Sequence, residues 1–192
     1  VLTTGEGGAI TTNSKEVYEK LKLIRSHGRV DHSDYFSNPS LSQYIGLGYN
    51  WRMSSLTAAL GISQLQKLDK IIKMRKENAR YLSKHLSKIP QIITPNPKDN
   101  YDHIYQMYTI LLENKKIRDN LHNFLIKKEI FSKVYFHPIH KTKFYSKFNV
   151  SNNLSMTEMI SDKALTIPLY PNMTQEEKEY LINSIKEFFE SI

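Results

Sequence analysis

Asn50, Arg52 and Ser54 stand at alternate positions in Gly48-Tyr49-Asn50-Trp51-Arg52-Met53-Ser54, just ahead of the longest periodic segment of the chain. An amide and a guanidinium beside a serine-capped helix N-terminus are the donors an anion needs. The same residues also support a plainer reading, in which Asn50 caps the helix and Arg52 pairs with a surface carboxylate. His27, in Ser26-His27-Gly28, has the pKa range of a proton carrier, or it satisfies the last carbonyls of a helix. His137 and His140 are three apart, a spacing met in metal sites. Pro138 breaks helical register between them and no carboxylate or Cys lies within a few residues, so no metal is expected. Gly5, Gly7 and Gly8 crowd the turn that follows Thr3-Thr4. Such a turn lets backbone approach a cofactor or a partner strand closely, or it is a simple hairpin.

The elements that must position these groups follow from periodicity. Ala9 to Thr12 is strand-like, and Asn13-Ser14-Lys15-Glu16 opens a helix carrying Val17, Leu21 and Ile24 and ending near His27-Gly28. Residues 29–47 are polar and aperiodic, which predicts a long loop, functional or a surface excursion. Leu56, Leu60, Leu65, Leu68, Ile72, Ala79, Leu82, Leu86 and Ile89 predict one helix over 54–89, closed by Pro90. Beyond Pro95 and Pro97 the pattern predicts strands over 104–112 and 132–136, a helix over 117–128 and helical stretches over 142–148 and 155–164. Thr174-Gln175-Glu176-Glu177 predicts a capping box for a last helix with Leu181, Ile185, Phe188 and Ile192 on its buried stripe. Ile167-Pro168-Leu169-Tyr170-Pro171 reads as a packing element. Strands alternating with helices make this C-terminal part a small α/β or α+β domain.

Composition narrows the function classes. The chain has 192 residues, 27 basic and 19 acidic, hence +8. Much of that excess lies at Lys67, Lys70, Lys73, Lys76 and Lys84, interleaved with apolar positions as on a solvated helix face. No nucleic-acid-binding signature accompanies it, so no nucleic-acid partner is expected. No apolar run approaches the length of a membrane span. The lack of Cys excludes thiolate metal sites and disulfides and favours a cytoplasmic setting.

Four blocks, in order, resemble the DegT/DnrJ family of pyridoxal-phosphate sugar aminotransferases. They are Thr3-Thr4-Gly5-Glu6-Gly7-Gly8 running into Arg25-Ser26-His27-Gly28, then Gly48 to Met53 with Ala58-Ala59-Leu60-Gly61, then Tyr135 to His140, then Ile167 to Pro171. The resemblance implies the C-terminal half of a fold-type I pyridoxal-phosphate transferase. Residues 1–53 would end the large domain, with an active-site or interface loop at 29–47; 54–89 would be the connecting helix and 90–192 the small α/β domain. It implies amination of a nucleotide-linked keto-sugar by an amino-acid donor such as glutamate, with pyridoxal 5'-phosphate as cofactor, in a homodimer with shared active sites.

The Schiff-base lysine would sit immediately before Val1, so no catalytic residue is expected within the chain, and the chain alone is expected to lack transaminase activity. Asn50 and Arg52 would reach the cofactor phosphate of the partner subunit, and Gly5 to Gly8 would shape the turn that holds the lysine. Tyr135, His137, His140 and His27 would contact substrate. The commoner family form of the third block is His-Tyr-x-Pro-x-His, where this chain has Tyr135-Phe136, so sugar identity stays open. Two other classes stay open beside this one: a dehydratase relative with histidine in place of the lysine, and a non-catalytic dimerisation or sugar-sensing module.

Overall fold

The computed structural model describes residues 1–30, 43–148 and 153–192. The chain forms two compact units, Leu2–Leu68 and Asp69–Ile192 together with Val1.

The first unit holds two helices. α1 (Lys15–Arg25) starts where the Ser14 hydroxyl accepts the Val17 N–H at 3.3 Å. α2 (Ser55–Leu65) starts where Ser54 accepts the Thr57 N–H at 3.2 Å. Neither helix has a buried residue. In α2 this is notable because Leu56, Leu60, Ile62 and Leu65 occupy more than one face, and Leu56 is 86% exposed. A helix that is apolar all round belongs inside a larger body. The strand-like Ala9 to Thr12 forms no strand, and Ile10 lies in solvent. Of the expected loop at 29–47, residues 31–42 lie outside those described. Its ends pair, with Val30 N–H donating to Gln43 O at 3.2 Å and Ile45 N–H to Gly28 O at 2.9 Å.

The single helix expected over 54–89 is two. Between α2 and α3 (Leu68–Leu86) the Lys67 N–H turns to Gln64 O at 3.1 Å, an i→i−3 bond that tightens the backbone and ends the run without proline. α3, unlike α2, is amphipathic and belongs to the second unit.

That unit is built on two antiparallel strands, β1 (Tyr108–Leu111) and β2 (Ala164–Ile167), in the register Tyr108↔Ile167 to Leu111↔Ala164. Isolated bridges widen the sheet on both sides, Ile93 beside Leu111 and Lys133 beside Thr166. Ala79, Leu82 and Leu86 of α3, Leu121 and Leu125 of α4 (Lys115–Lys127), and Leu181, Ile185 and Phe188 of α6 (Gln175–Glu190) join Tyr108, Ile110, Leu165 and Ile167 in one core. Alternation puts Tyr108 and Ile110 into that core and leaves Thr109 and Leu111 less covered. α5 (Ser155–Lys163) leads directly into β2. The capping box at Thr174 and Glu177 is present with both bonds. Asn78 donates to Tyr170 O at 2.8 Å and Pro171 O at 3.1 Å, which ties the proline block to α3.

Four further expectations change. The strand over 104–112 shortens because the Tyr105 and Gln106 carbonyls are taken by Arg75. The strand over 132–136 reduces to the Lys133 bridge, and 142–148 yields a short 3₁₀ turn (Tyr145–Phe148), with another at Ile139–Lys141. Ile192 lies past the end of α6 and is exposed. No helix of the described residues is long and apolar enough to cross a membrane.

Burial pushes the Tyr108 phenol up to about 12, against a weaker opposing pull from its 2.7 Å hydrogen bond with Ser83. A phenol whose folded pKa lies above its unfolded value contributes stability that is complete below its ordinary pKa and is lost as pH rises through the folded one. Denaturant unfolding followed from pH 9 to 12 should therefore show a stability loss that the Tyr108→Phe variant lacks in part. An equally steep loss in the variant would contradict this assignment.

Candidate functional site

The end of α1 and the segment 49–51 are joined by backbone. Tyr49 N–H donates to Ile24 O at 2.6 Å, His27 N–H to Tyr49 O at 3.0 Å and Trp51 N–H to Arg25 O at 2.9 Å, with Ser26 and Asn50 as an antiparallel bridge pair. α1 closes by a bond from Gly28 N–H to Leu23 O at 2.8 Å, with His27 at φ 63 in the left-handed position. The approach is possible only for glycine. A Cβ on Gly28, at φ +69, would lie 1.8 Å from Gly46 O, and one on Gly48 would lie 1.9 Å from Gly28 N.

This pairing brings three of the sequence candidates together. Arg52 Nε donates to Asn50 Oδ1 at 3.2 Å, and Arg52 Nη2 lies 3.5 Å from His27 Nε2. Ser54, not Asn50, caps α2, and among the described residues Arg52 makes no ion pair. With Oδ1 engaged, Asn50 keeps both Nδ2 hydrogens among the described residues, and Arg52 keeps most of its guanidinium N–H groups there. His27 spends its backbone on Tyr49 and turns its ring to Arg52 instead of the helix carbonyls. Tyr49 and Trp51 project on the other side of the alternating backbone and stack at 4.3 Å, 8° from parallel. All of these side chains are exposed. The cluster is a set of unspent donors with no carboxylate bonded to it among the described residues. In the glycine-rich turn, Thr3 and Thr4 bond locally, to Gly5 N–H at 3.2 Å and Glu6 O at 3.0 Å.

In the second unit the Tyr135 to His140 block separates into three environments. Tyr135 lines a cavity of about 360 Å³ together with Phe136, Gln106, Met107, Thr166 and Leu169. His137 is exposed and makes no side-chain hydrogen bond among the described residues. His140 Nε2 lies 2.8 Å from Glu158 Oε1, and Lys141 Nζ lies 2.5 Å from Glu158 Oε2. The hydrogen bond from Lys141, then that from His140, holds the Glu158 carboxyl below the usual carboxylate range. His140 thus pins its turn to α5. The sequence reading missed Glu158, Gln106 and Arg75, which are single polar residues at no diagnostic spacing.

The family model of the DegT/DnrJ/EryC1/StrS aminotransferases matches residues 1–186. The GDP-perosamine synthase of Escherichia coli O157:H7 is 30% identical over 98% of this chain and 49% of its own length. The UDP-4-amino-4,6-dideoxy-N-acetyl-beta-L-altrosamine transaminase of Campylobacter jejuni is 31% identical over 100% of this chain and 50% of its own. Among solved structures, Helicobacter pylori PseC, an aminotransferase involved in the biosynthesis of pseudoaminic acid, superimposes with a TM-score of 0.85 at 26% identity, over 94% of this chain and 48% of that one. The chain spans about half the length of these relatives. The fold is that of half a fold-type I sugar aminotransferase, the α/β class expected from the sequence.

A carboxylate depressed by its partners contributes stability above its ordinary pKa and loses it as pH falls through the folded value. Carbon-detected NMR should find the Glu158 carboxyl titrating below ordinary glutamates, and Lys141→Met should raise that midpoint. A midpoint unmoved by the substitution would remove Lys141 as the main cause.

Proposed function

Because this chain belongs to the DegT/DnrJ/EryC1/StrS aminotransferase family, we propose that it is part of a pyridoxal-phosphate-dependent aminotransferase that transfers nitrogen from an amino acid such as glutamate to a nucleotide-linked keto-sugar. The observation that carries this reading is the Asn50, Arg52 and His27 cluster. Its free amide and guanidinium hydrogens match a doubly charged phosphate, and among the described residues no carboxylate is bonded to it. The cofactor, when bound, supplies an electron sink for the bond broken at the donor amino acid.

The chain's own residues have three tasks in this scheme. Asn50 donates to the phosphate through Nδ2, with its orientation fixed by Arg52 at Oδ1. Arg52 adds positive charge and further donors. The turn at Gly5 to Gly8 shapes the backbone next to the amine nucleophile, which belongs on the residue joined to Val1 in the whole protein. Tyr135 lies on the substrate side, and His140, held by Glu158, keeps that loop in place. His27 supports Arg52, and we assign His137 to the substrate side as an exposed donor.

The phosphate served by Asn50 belongs to a second copy of the protein. Leu56, Leu60, Ile62 and Leu65 of α2 are largely exposed, immediately beyond the donor cluster. Covering a fully exposed leucine or isoleucine stabilises by about 1.5–3 kcal/mol, and one already half covered, such as Leu60, by less, which favours a homodimer that buries α2 and shares its active sites.

Mixed dimers of the full-length protein test this. Asn50→Ala should weaken cofactor retention by about 10- to 100-fold, the effect of one charge-assisted hydrogen bond. A subunit carrying Asn50→Ala, mixed with one whose lysine is replaced, should regain part of the transaminase activity that each lacks alone. No regain on mixing would exclude the shared site. A histidine in the lysine's place, with loss of water from the sugar and no nitrogen transfer, would favour a dehydratase.

A further inference from the structure

Residues 139–148, Ile139-His140-Lys141-Thr142-Lys143-Phe144-Tyr145-Ser146-Lys147-Phe148, hold three lysines, three phenyl or phenol rings and no carboxylate. Two 3₁₀ turns shape the segment, Ile139–Lys141 and Tyr145–Phe148, and between them Ser146 N–H donates to Thr142 O at 2.9 Å. The first turn is anchored, because His140 and Lys141 both engage Glu158 of α5. The second presents its rings to solvent, Phe144 and Phe148 at 57% exposure each and Tyr145 at 48%. These rings pack on one another, with centroids 5.0 Å apart for Phe144 and Tyr145 and 5.4 Å for Phe144 and Phe148. Lys147 Nζ lies over both phenylalanines, 4.6 Å from the Phe144 centroid and 6.0 Å from that of Phe148. Neither Lys143 nor Lys147 makes an ion pair among the described residues.

An exposed, self-packed aromatic cluster framed by unpaired cations marks an interaction surface, and its arrangement selects the partner. Single-stranded nucleic acid stacks its bases on free ring faces; here the faces meet Lys147 and the edges of neighbouring rings. The centre of a protein interface is depleted of lysine, whereas here a lysine sits directly on the rings. At the boundary of a bilayer both groups are used at one depth, the rings entering the acyl edge and the ammonium groups staying with acidic headgroups. The contact between Lys147 and the two phenylalanines delivers ring and charge together. No carboxylate within 139–148 opposes an acidic surface, and Glu158, which faces the first turn, is occupied by His140 and Lys141. The excess of +8 over the whole chain adds attraction at longer range.

We propose that Phe144, Tyr145 and Phe148, with Lys143 and Lys147, form a docking surface for an anionic lipid bilayer, on which the full-length protein rests reversibly. No helix of the described residues is long and apolar enough to cross a bilayer, so the contact is interfacial. Its five side chains are none of those assigned to the aminotransferase reading, and the surface stands or falls independently of that reading. The bonds to Glu158 hold the turn in place before contact, which lowers the ordering cost of binding.

Cosedimentation of the full-length protein with vesicles tests this, phosphatidylglycerol mixed into phosphatidylcholine against phosphatidylcholine alone. The mixed vesicles should retain the protein at low ionic strength and release it as salt rises, while the neutral ones should not retain it. Lys143→Gln and Lys147→Gln should each lower the partition coefficient about fivefold, the share of one lysine at an anionic surface. Phe144→Ser combined with Phe148→Ser should lower it at least about tenfold through the lost apolar area. A Phe148→Trp variant reads ring insertion directly, since brominated acyl chains should quench its fluorescence beyond that of the unaltered protein. No retention by the mixed vesicles, retention that ignores all four substitutions, or an unquenched Trp variant overturns the proposal. So does a lower melting temperature or a changed oligomeric state in the phenylalanine pair without vesicles, which would assign the rings to a contact within the whole protein or between its copies.

Discussion

The pairing of the α1 terminus with residues 49–51 is the constraint from which the candidate site follows. Three backbone hydrogen bonds from Ile24 to Trp51 set the register, and register decides which side chains share a face. Asn50 and Arg52 are two residues apart and bonded to each other, and Arg52 reaches His27, while Tyr49 and Trp51 stack together. A slip of one residue would replace two hydrogen-bond donors by two aromatic rings. Gly28 and Gly48 enforce the register sterically, since any side chain at either position would overlap backbone. Each hydrogen bond contributes only about 0.5–1.5 kcal/mol net, so the overlap is the stronger discriminator against other pairings.

The two units differ in how they meet the hydrophobic effect. The unit from Asp69 onward buries its apolar side chains within one core drawn from α3, α4, α6 and the two strands. The unit before it leaves α2 uncovered despite its leucines and isoleucine. An uncovered helix of that composition follows directly on the donor-bearing segment of Asn50 and Arg52. The same burial that would remove α2 from water would also carry Asn50 and Arg52 against another surface.

Local signals were readable in the sequence and non-local ones were not. Ser14, Ser54 and Thr174 cap their helices because capping depends on residues three apart. The donor cluster was visible because Asn50 and Arg52 lie in one short segment. The break between α2 and α3 was hidden, since leucine spacing runs through Gln66-Lys67 with no glycine or proline to mark it. β2 was missed because all four of its residues are buried, which gives no alternation. The roles of Arg75 and Glu158 depend on partners 17 or more positions away, Lys141 being nearest to Glu158 and Tyr105 and Gln106 lying 30 and 31 from Arg75. His137 and His140 looked equivalent in sequence and differ because only His140 meets α5.

A structure of the full-length protein with pyridoxal phosphate bound would measure the central distance directly, from Asn50 Nδ2 to the nearest phosphate oxygen of the neighbouring subunit. The account predicts hydrogen-bond length, about 2.7–3.2 Å, across a contact that covers α2. Asn50 facing bulk solvent, with α2 packed elsewhere and the phosphate held within one subunit, would contradict it.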